Sequence, residues 1–244
     1  MQSDALQAVR EVYDAVGEHG SQAPHGMDLA TGRELAVVLG YSPERLAAVP
    51  PALLEAFVGA GPLAVLADPK PGQVVVDVGC GAGVDSLLAA QAGARVVALD
   101  LSIPMLKRLR RGVAGCTPQA RLLALQAAAP RLPVARGCAD WVWLNGVANL
   151  VPDRPALCAE LARVLRPAGH LLIADVFARE PVPEALRALP EAWAWCIAGA
   201  GAPGEWERLL RNAGFRGIAI DSAEEFPPFF RGVLRACQQG TADG

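Results

Sequence analysis

The feature that most constrains this chain is a short apolar run, Val74–Val78, that ends in a glycine cluster. The stretch reads Asp77-Val78-Gly79-Cys80-Gly81-Ala82-Gly83, and a helical pattern, Val84–Ala92, resumes directly behind it. A β-branched run this short and continuous reads as a strand buried on both faces. Glycines then let the backbone turn sharply and let a ligand approach it closely. The amides that open the next helix offer donors to a polar group. The same grammar repeats downstream, with strands predicted at Arg95–Leu99, Arg121–Leu125, Asp140–Leu144 and His170–Phe177, and helices at Ile103–Arg111 and Arg154–Leu165. Strand and helix alternating at this pitch predict an α/β fold, a parallel sheet covered by helices on both sides.

The flanks follow other patterns. Residues 3–19 carry Leu6, Val9, Val12, Tyr13 and Val16 at helical spacing. Residues 31–67 read as several short helices, with Ser42 as a cap before Pro43 and Pro50-Pro51 as a break. Three units are expected: a helical cap over 1–70, a ligand-binding core over 71–177, and C-terminal helices with a closing hairpin over 178–244. In the last unit, helical stretches at Glu184–Ala200 and Gly204–Ala213 precede an antiparallel pair, Phe215–Ile220 with Phe229–Cys237.

Composition narrows the partners. A chain of 244 residues with 52% hydrophobic and 19% charged residues can bury a sizeable core. A net charge of −3 gives no broad attraction for phosphate backbones, so a nucleic-acid partner is disfavoured. The basic cluster Lys107, Arg108, Arg110 and Arg111 reads as a solvated helix face. No window approaches the ~20 apolar residues of a membrane span, and the first residues lack the pattern of a secretory signal. Six cysteines without a C-x-x-C pair read as reduced thiols of a cytoplasmic protein with no structural zinc site.

Two cofactor classes compete for the glycine loop. A dinucleotide fold places a third glycine where Val84 stands, whereas the spacing here is Gly79-x-Gly81-x-Gly83. The carboxylate of Asp77, just before the first glycine, would repel a pyrophosphate and suits an ammonium group. Asp100 closes the second strand, where a carboxylate can accept from both hydroxyls of a ribose. These features favour a methyl donor, S-adenosylmethionine, over a nicotinamide.

The loop Asp77–Gly83 with Asp100 resembles the S-adenosylmethionine site of class I methyltransferases, a Rossmann-like family. The segment Asn145-Gly146-Val147-Ala148-Asn149-Leu150-Val151-Pro152-Asp153 is similar to that of arsenite methyltransferases. So are Asp175-Val176, Pro181–Glu184, Trp193–Ala200 and the stretch from Gly40-Tyr41-Ser42-Pro43 to Val49-Pro50. The resemblance implies a cofactor site formed by Asp77, Gly79, Cys80, Gly81, Gly83, Asp100, Leu101, Ala128 and Asn145. It also implies candidate catalytic residues Asn145, Cys196 and Tyr13, with Tyr13 closing over the donor.

The chain departs from that pattern in two places. The family holds trivalent arsenic on three thiolates, a soft ion on soft ligands. Of the three positions only Cys196 is a cysteine here, with Ala60 and Gly146 at the others. Cys80 is a possible second thiol near Cys196, and no metal site is expected. Many methyltransferases also place an aspartate for the adenine amino group where this chain has Ala128, so backbone groups and apolar walls such as Leu101 and Ile103 would hold the ring. The acceptor is expected near Asn145, Asn149, Asp175 and the segment Trp193–Cys196, with His19 and His25 as candidate base or lid residues. The leading expectation is methyl transfer to a small molecule other than arsenite. The alternatives are cyclisation of the donor on itself with release of methylthioadenosine, metalloid methylation through Cys196 and recruited thiols, or a binding module without catalysis.

Overall fold

The computed structural model of the chain describes residues 2–20, 31–116, 118 and 121–239. Seven strands, β1 (Val74–Val78), β2 (Arg95–Asp100), β3 (Leu122–Gln126), β4 (Ala139–Asn145), β5 (Leu165–Ala178), β6 (Phe215–Phe226) and β7 (Phe229–Gln238), form one sheet. Their order is β3-β2-β1-β4-β5-β7-β6. The first five are parallel, and β7 runs antiparallel to both β5 and β6. Strand order reverses between β1 and β4, and such a reversal opens a crevice at the carboxyl ends of the strands.

Helices α1 (Gln2–His19), α2 (Gly32–Val38), α3 (Pro43–Ala47), α4 (Pro51–Leu54) and α5 (Leu63–Ala67) precede the sheet. Helices α6 (Val84–Gln91), α7 (Ile103–Gly112) and α8 (Arg154–Val164) are the crossovers. They are followed by α9 (Glu184–Arg187), α10 (Pro190–Ala194) and α11 (Pro203–Asn212). Successive residues of a strand face opposite sides. Val75 therefore packs with Leu46, Leu53, Leu87 and Leu109, while Val76 packs with Leu157, Leu161 and Trp206. Ser42, Ser102 and Asp153 cap α3, α7 and α8 by accepting from Arg45, Met105 and Ala156 amides, each worth about 1 kcal/mol. No helix among the described residues is long and apolar enough to cross a membrane.

The structure revises several expected elements. The stretch Glu184–Ala200 is not one helix. Leu189 is extended before Pro190, because a proline ring excludes the helical conformation from the residue before it. β5 begins at Leu165 rather than His170, since Leu165 pairs with Ala139 across a bulge between Ala139 and Trp141. β6 continues to Phe226 through the polar run Asp221–Glu225. This is a charged edge strand whose Asp221 and Glu224 pair with Arg235 and Arg231 of β7. Nor is the basic cluster wholly solvated. Arg108 donates to the carbonyls of Gly17 and Ala52 at 2.8 Å each and straps α1 and α4 onto α7.

Candidate functional site

The crevice at the strand reversal opens into a cavity of about 300 Å³. Its floor is the glycine loop. Gly79 and Cys80 amides donate to the Leu99 carbonyl at 2.7 and 2.9 Å, which ties the loop to the end of β2. Gly81 and Gly83 hold φ of 54° and 82°, a region that costs other residues about 1–2 kcal/mol. A β-carbon on Gly83 would sit 2.2 Å from Leu109 Cδ1, so the third glycine seats the loop on α7. A β-carbon on Gly81 would meet no atom within 4 Å, so that position borders open space in the cavity.

Two buried carboxylates flank the loop. Asp77 accepts from Ser86 Oγ at 2.5 Å, and its carboxyl is pushed up to about 7, first by burial and then by the nearby charge of Asp85. Asp100 accepts from the Ser102 and Gly81 amides at 2.8 Å each. Burial raises it to about 6 against the pull of those donors. Buried acids held above their ordinary range in a cleft suit a cationic or hydrogen-bonding ligand. Leu101, Met105, Ala127–Pro130, Leu132 and Val151 make an apolar slot beside Asp100, and Ala128 contributes only its small side chain and backbone there.

Asn145 lines the same cavity, but its amide is engaged within the protein. Its Oδ1 accepts from the Ala60 amide at 2.7 Å, while Nδ2 donates to the Gly61 carbonyl at 2.8 Å and to Asp85 at 2.9 Å. Asp85 also accepts from Tyr41 Oη at 2.7 Å and the Ala64 amide at 2.8 Å. Burial raises the Asp85 carboxyl too, against all of these donors. Sequence reasoning missed Tyr41, Asp85 and Ser86. An acid in the first turn of a helix reads as an ordinary partner of the helix dipole, and nothing local ties it to a tyrosine 44 residues upstream.

A second cavity of about 260 Å³ adjoins the first, and Tyr13, Val58 and Gly146 line both. Tyr13 is donated from α1 and its hydroxyl donates to the Ala194 carbonyl at 3.3 Å. Ala60, Gly146, Asp175 and Cys196 converge here. Cys196 holds a left-handed φ of 61°, and its thiol lies 3.3 Å from the Gly146 carbonyl. Burial, then the charge of Asp175, pushes that thiol well above its ordinary range. Asp175 accepts from the Asn149 amide, Asn149 Nδ2 and the Val176 amide at 2.8–3.1 Å, and burial raises it to about 6. Asn149 is fully buried and staples β5 to the turn after β4.

Cys80 lines the first cavity and Cys196 the second. Among the described residues, no group of three His, Cys, Asp or Glu side chains could hold a metal ion. His19 is exposed beside Glu18 and lines neither cavity. His25 lies outside the described residues. Contributions to the first cavity from Leu6, Val9 and Arg10 of α1 were also not anticipated. Their helical spacing reads equally well as ordinary core packing.

Comparison with known proteins adds to this geometry. Residues 69–214 match the family described as a methyltransferase domain. The arsenite methyltransferase of Halobacterium salinarum is 31% identical over 194 residues, which cover 78% of this chain and 49% of that protein. The methyltransferase GfsG of Streptomyces halstedii is 35% identical over 127 residues, covering 52% and 46%. The chain thus spans about half the length of the curated relatives it matches. An arsenic(III) S-adenosylmethionine methyltransferase from Chlamydomonas reinhardtii superposes with a TM-score of 0.63 at 21% identity, over 88% of this chain and 76% of that one. At that identity the likeness is one of fold.

Proposed function

Because the chain belongs to the methyltransferase-domain family, we propose that it transfers a methyl group from S-adenosylmethionine to a small organic molecule. The observation that carries this reading is the pair of buried carboxylates, Asp77 and Asp100, on either side of the open Gly81 position in one cavity. The residues suit the donor. Asp77 meets its ammonium, Asp100 keeps lone pairs for the ribose hydroxyls, and the Leu101–Met105–Leu132 slot takes a purine. The cavity volume stands at the small end of the ~300–1,000 Å³ range for ligand pockets. A pyrophosphate placed on the same loop would face Asp77, so a dinucleotide fits poorly.

When bound, S-adenosylmethionine supplies a methyl group on a positively charged sulfur. The chain's own part is to hold the two reactants in line, which can supply much of the rate. Asn145 fixes the Gly59–Gly61 segment, Tyr13 walls the passage between the cavities, and α1 roofs the first one against water. A base is needed only when the acceptor arrives protonated. The relatives named above are all methyltransferases, which favours transfer over cyclisation of the donor on itself.

Trivalent arsenic does not suit the acceptor side. Among the described residues Cys196 is the sole sulfur lining the second cavity, its thiol is held protonated, and Ala60 and Gly146 supply no lone pair. Calorimetry tests the reading. S-adenosylhomocysteine binds the protein and NAD⁺ does not, and incubation with S-adenosylmethionine, arsenite and thiol yields no methylated arsenicals. Binding of NAD⁺ in place of the sulfur compound overturns the donor assignment, and methylated arsenicals lost on Cys196→Ser overturn the exclusion of arsenic.

A further inference from the structure

The second cavity draws its walls from other segments of the chain than the first. Leu35, Val58, Ala60, Ala194 and Ile197 give it an apolar interior. Its three charged residues are already satisfied. Arg231 pairs with Glu224 at 2.6 Å. Asp175 has the Asn149 and Val176 donors described above. Phe226 stands at the mouth, one of the few large apolar side chains left exposed.

Size and charge together define an occupant. An apolar cavity of about 150 Å³ holds a benzene-sized ligand, so about 260 Å³ has room for one or two fused rings. A carboxylate or ammonium seated there would lose its hydration and find no unpaired counter-charge, a heavy penalty. Tyr13 and Gly146 border both cavities, so a molecule in the second reaches the first along that edge.

We propose that the second cavity is the acceptor site and that it takes an uncharged, largely apolar organic molecule of one- or two-ring size. This rests on the donor reading of the first cavity and extends it to the class of substrate. Three probes of one shape test it: 2-naphthol (neutral), 2-naphthoate (anionic) and 2-naphthylmethylammonium (cationic). Each is titrated calorimetrically at pH 7 into the full chain saturated with S-adenosylhomocysteine. The neutral probe binds at least tenfold more tightly than either charged one. Ile197→Trp, which fills the cavity, weakens 2-naphthol at least tenfold. Val176→Phe fills it from a second lining position and serves if the first variant does not fold, with S-adenosylhomocysteine binding as the measure of folding.

A charged probe binding as well as the neutral one overturns the inference, as does 2-naphthol binding that ignores both cavity-filling variants. A protein that binds S-adenosylhomocysteine but not 2-naphthol sinks the acceptor assignment alone. A protein that binds neither sinks the donor reading beneath it.

Discussion

The two cavities that meet at Tyr13 are built from different materials. The first is assembled largely from contiguous sequence: β1, its glycine loop, the start of α6 and the end of β2 lie within 27 residues, 74–100. Its polar groups are buried acids raised by desolvation. The second draws on α1, the loop before β1, the ends of β4 and β5, the segment around Cys196 and the β6–β7 hairpin. Arg231 and Glu224 pair with each other there, Asp175 is likewise a buried acid raised to about 6, and the rest of the wall is largely apolar. The contrast teaches that the side we read as the donor's is encoded largely in contiguous sequence, whereas the side proposed for the acceptor is a packing product of distant segments.

The largest effect expected from a single substitution falls on Asp85, the carboxylate that gathers Tyr41, Ala64 and Asn145 beside the first cavity. Asp85→Ala strands the donors of Tyr41, Ala64 and Asn145, and costs about 3 kcal/mol. For a chain of this size that is a fall of roughly 6–12 °C in Tm, read by calorimetric unfolding. A stability within about 0.5 kcal/mol of the parent would show that the cap and the donor loop are not coupled through this carboxylate.

Asp77 sharpens the donor side. Asp77→Ala weakens S-adenosylhomocysteine binding by about 30- to 100-fold, the loss of roughly 2–3 kcal/mol in a charge-assisted contact. The same residue sets a pH dependence whose sign is definite. Its ordinary value is 3.8 and its value in the fold is about 7. Between these the folded chain retains a proton that the unfolded chain has released. Its contribution to stability is therefore complete below pH 3.8 and is lost as pH rises through about 7. Donor affinity runs the other way, because the ammonium requires the ionised carboxylate. Binding is about tenfold weaker at pH 6 than at pH 8, and Asp77→Asn flattens that profile. A parent protein with a flat profile would remove Asp77 from the ammonium contact.

The smallest effect belongs to the junction. Tyr13→Phe keeps the wall between the cavities and removes a single 3.3 Å hydrogen bond to Ala194. A cost of about 1 kcal/mol or less, with donor affinity changed by under about threefold, is expected in parallel unfolding and binding titrations. A loss of activity far beyond this would make the hydroxyl a participant rather than a wall.

Much of the donor side could be read before the fold was known. Val74–Val78 has the continuous apolar character of a doubly covered strand, and the sharp turn read from the glycines is made with positive φ at Gly79, Gly81 and Gly83. Asp77 and Asp100 sit at strand ends because the strands are parallel. The acceptor side was legible only in part. The gap at Ala60 and Gly146 was visible, and both residues do line one cavity with Cys196. That Asn145 spends its amide on Ala60, Gly61 and Asp85 was not, because no local pattern reports a partner 60 or 85 residues away.

By itself the sequence determined the periodicities, the glycine turn and the two flanking acids, since each of these depends on the backbone preferences of neighbouring residues. Tertiary structure alone decided that Tyr41 would meet Asp85, that Asn149 would meet Asp175, and that Arg108 would strap α1 in place. The physical reason is that hydrophobic burial specifies which faces go inside but carries no direction. Which polar atoms then meet is set by the packing of whole elements.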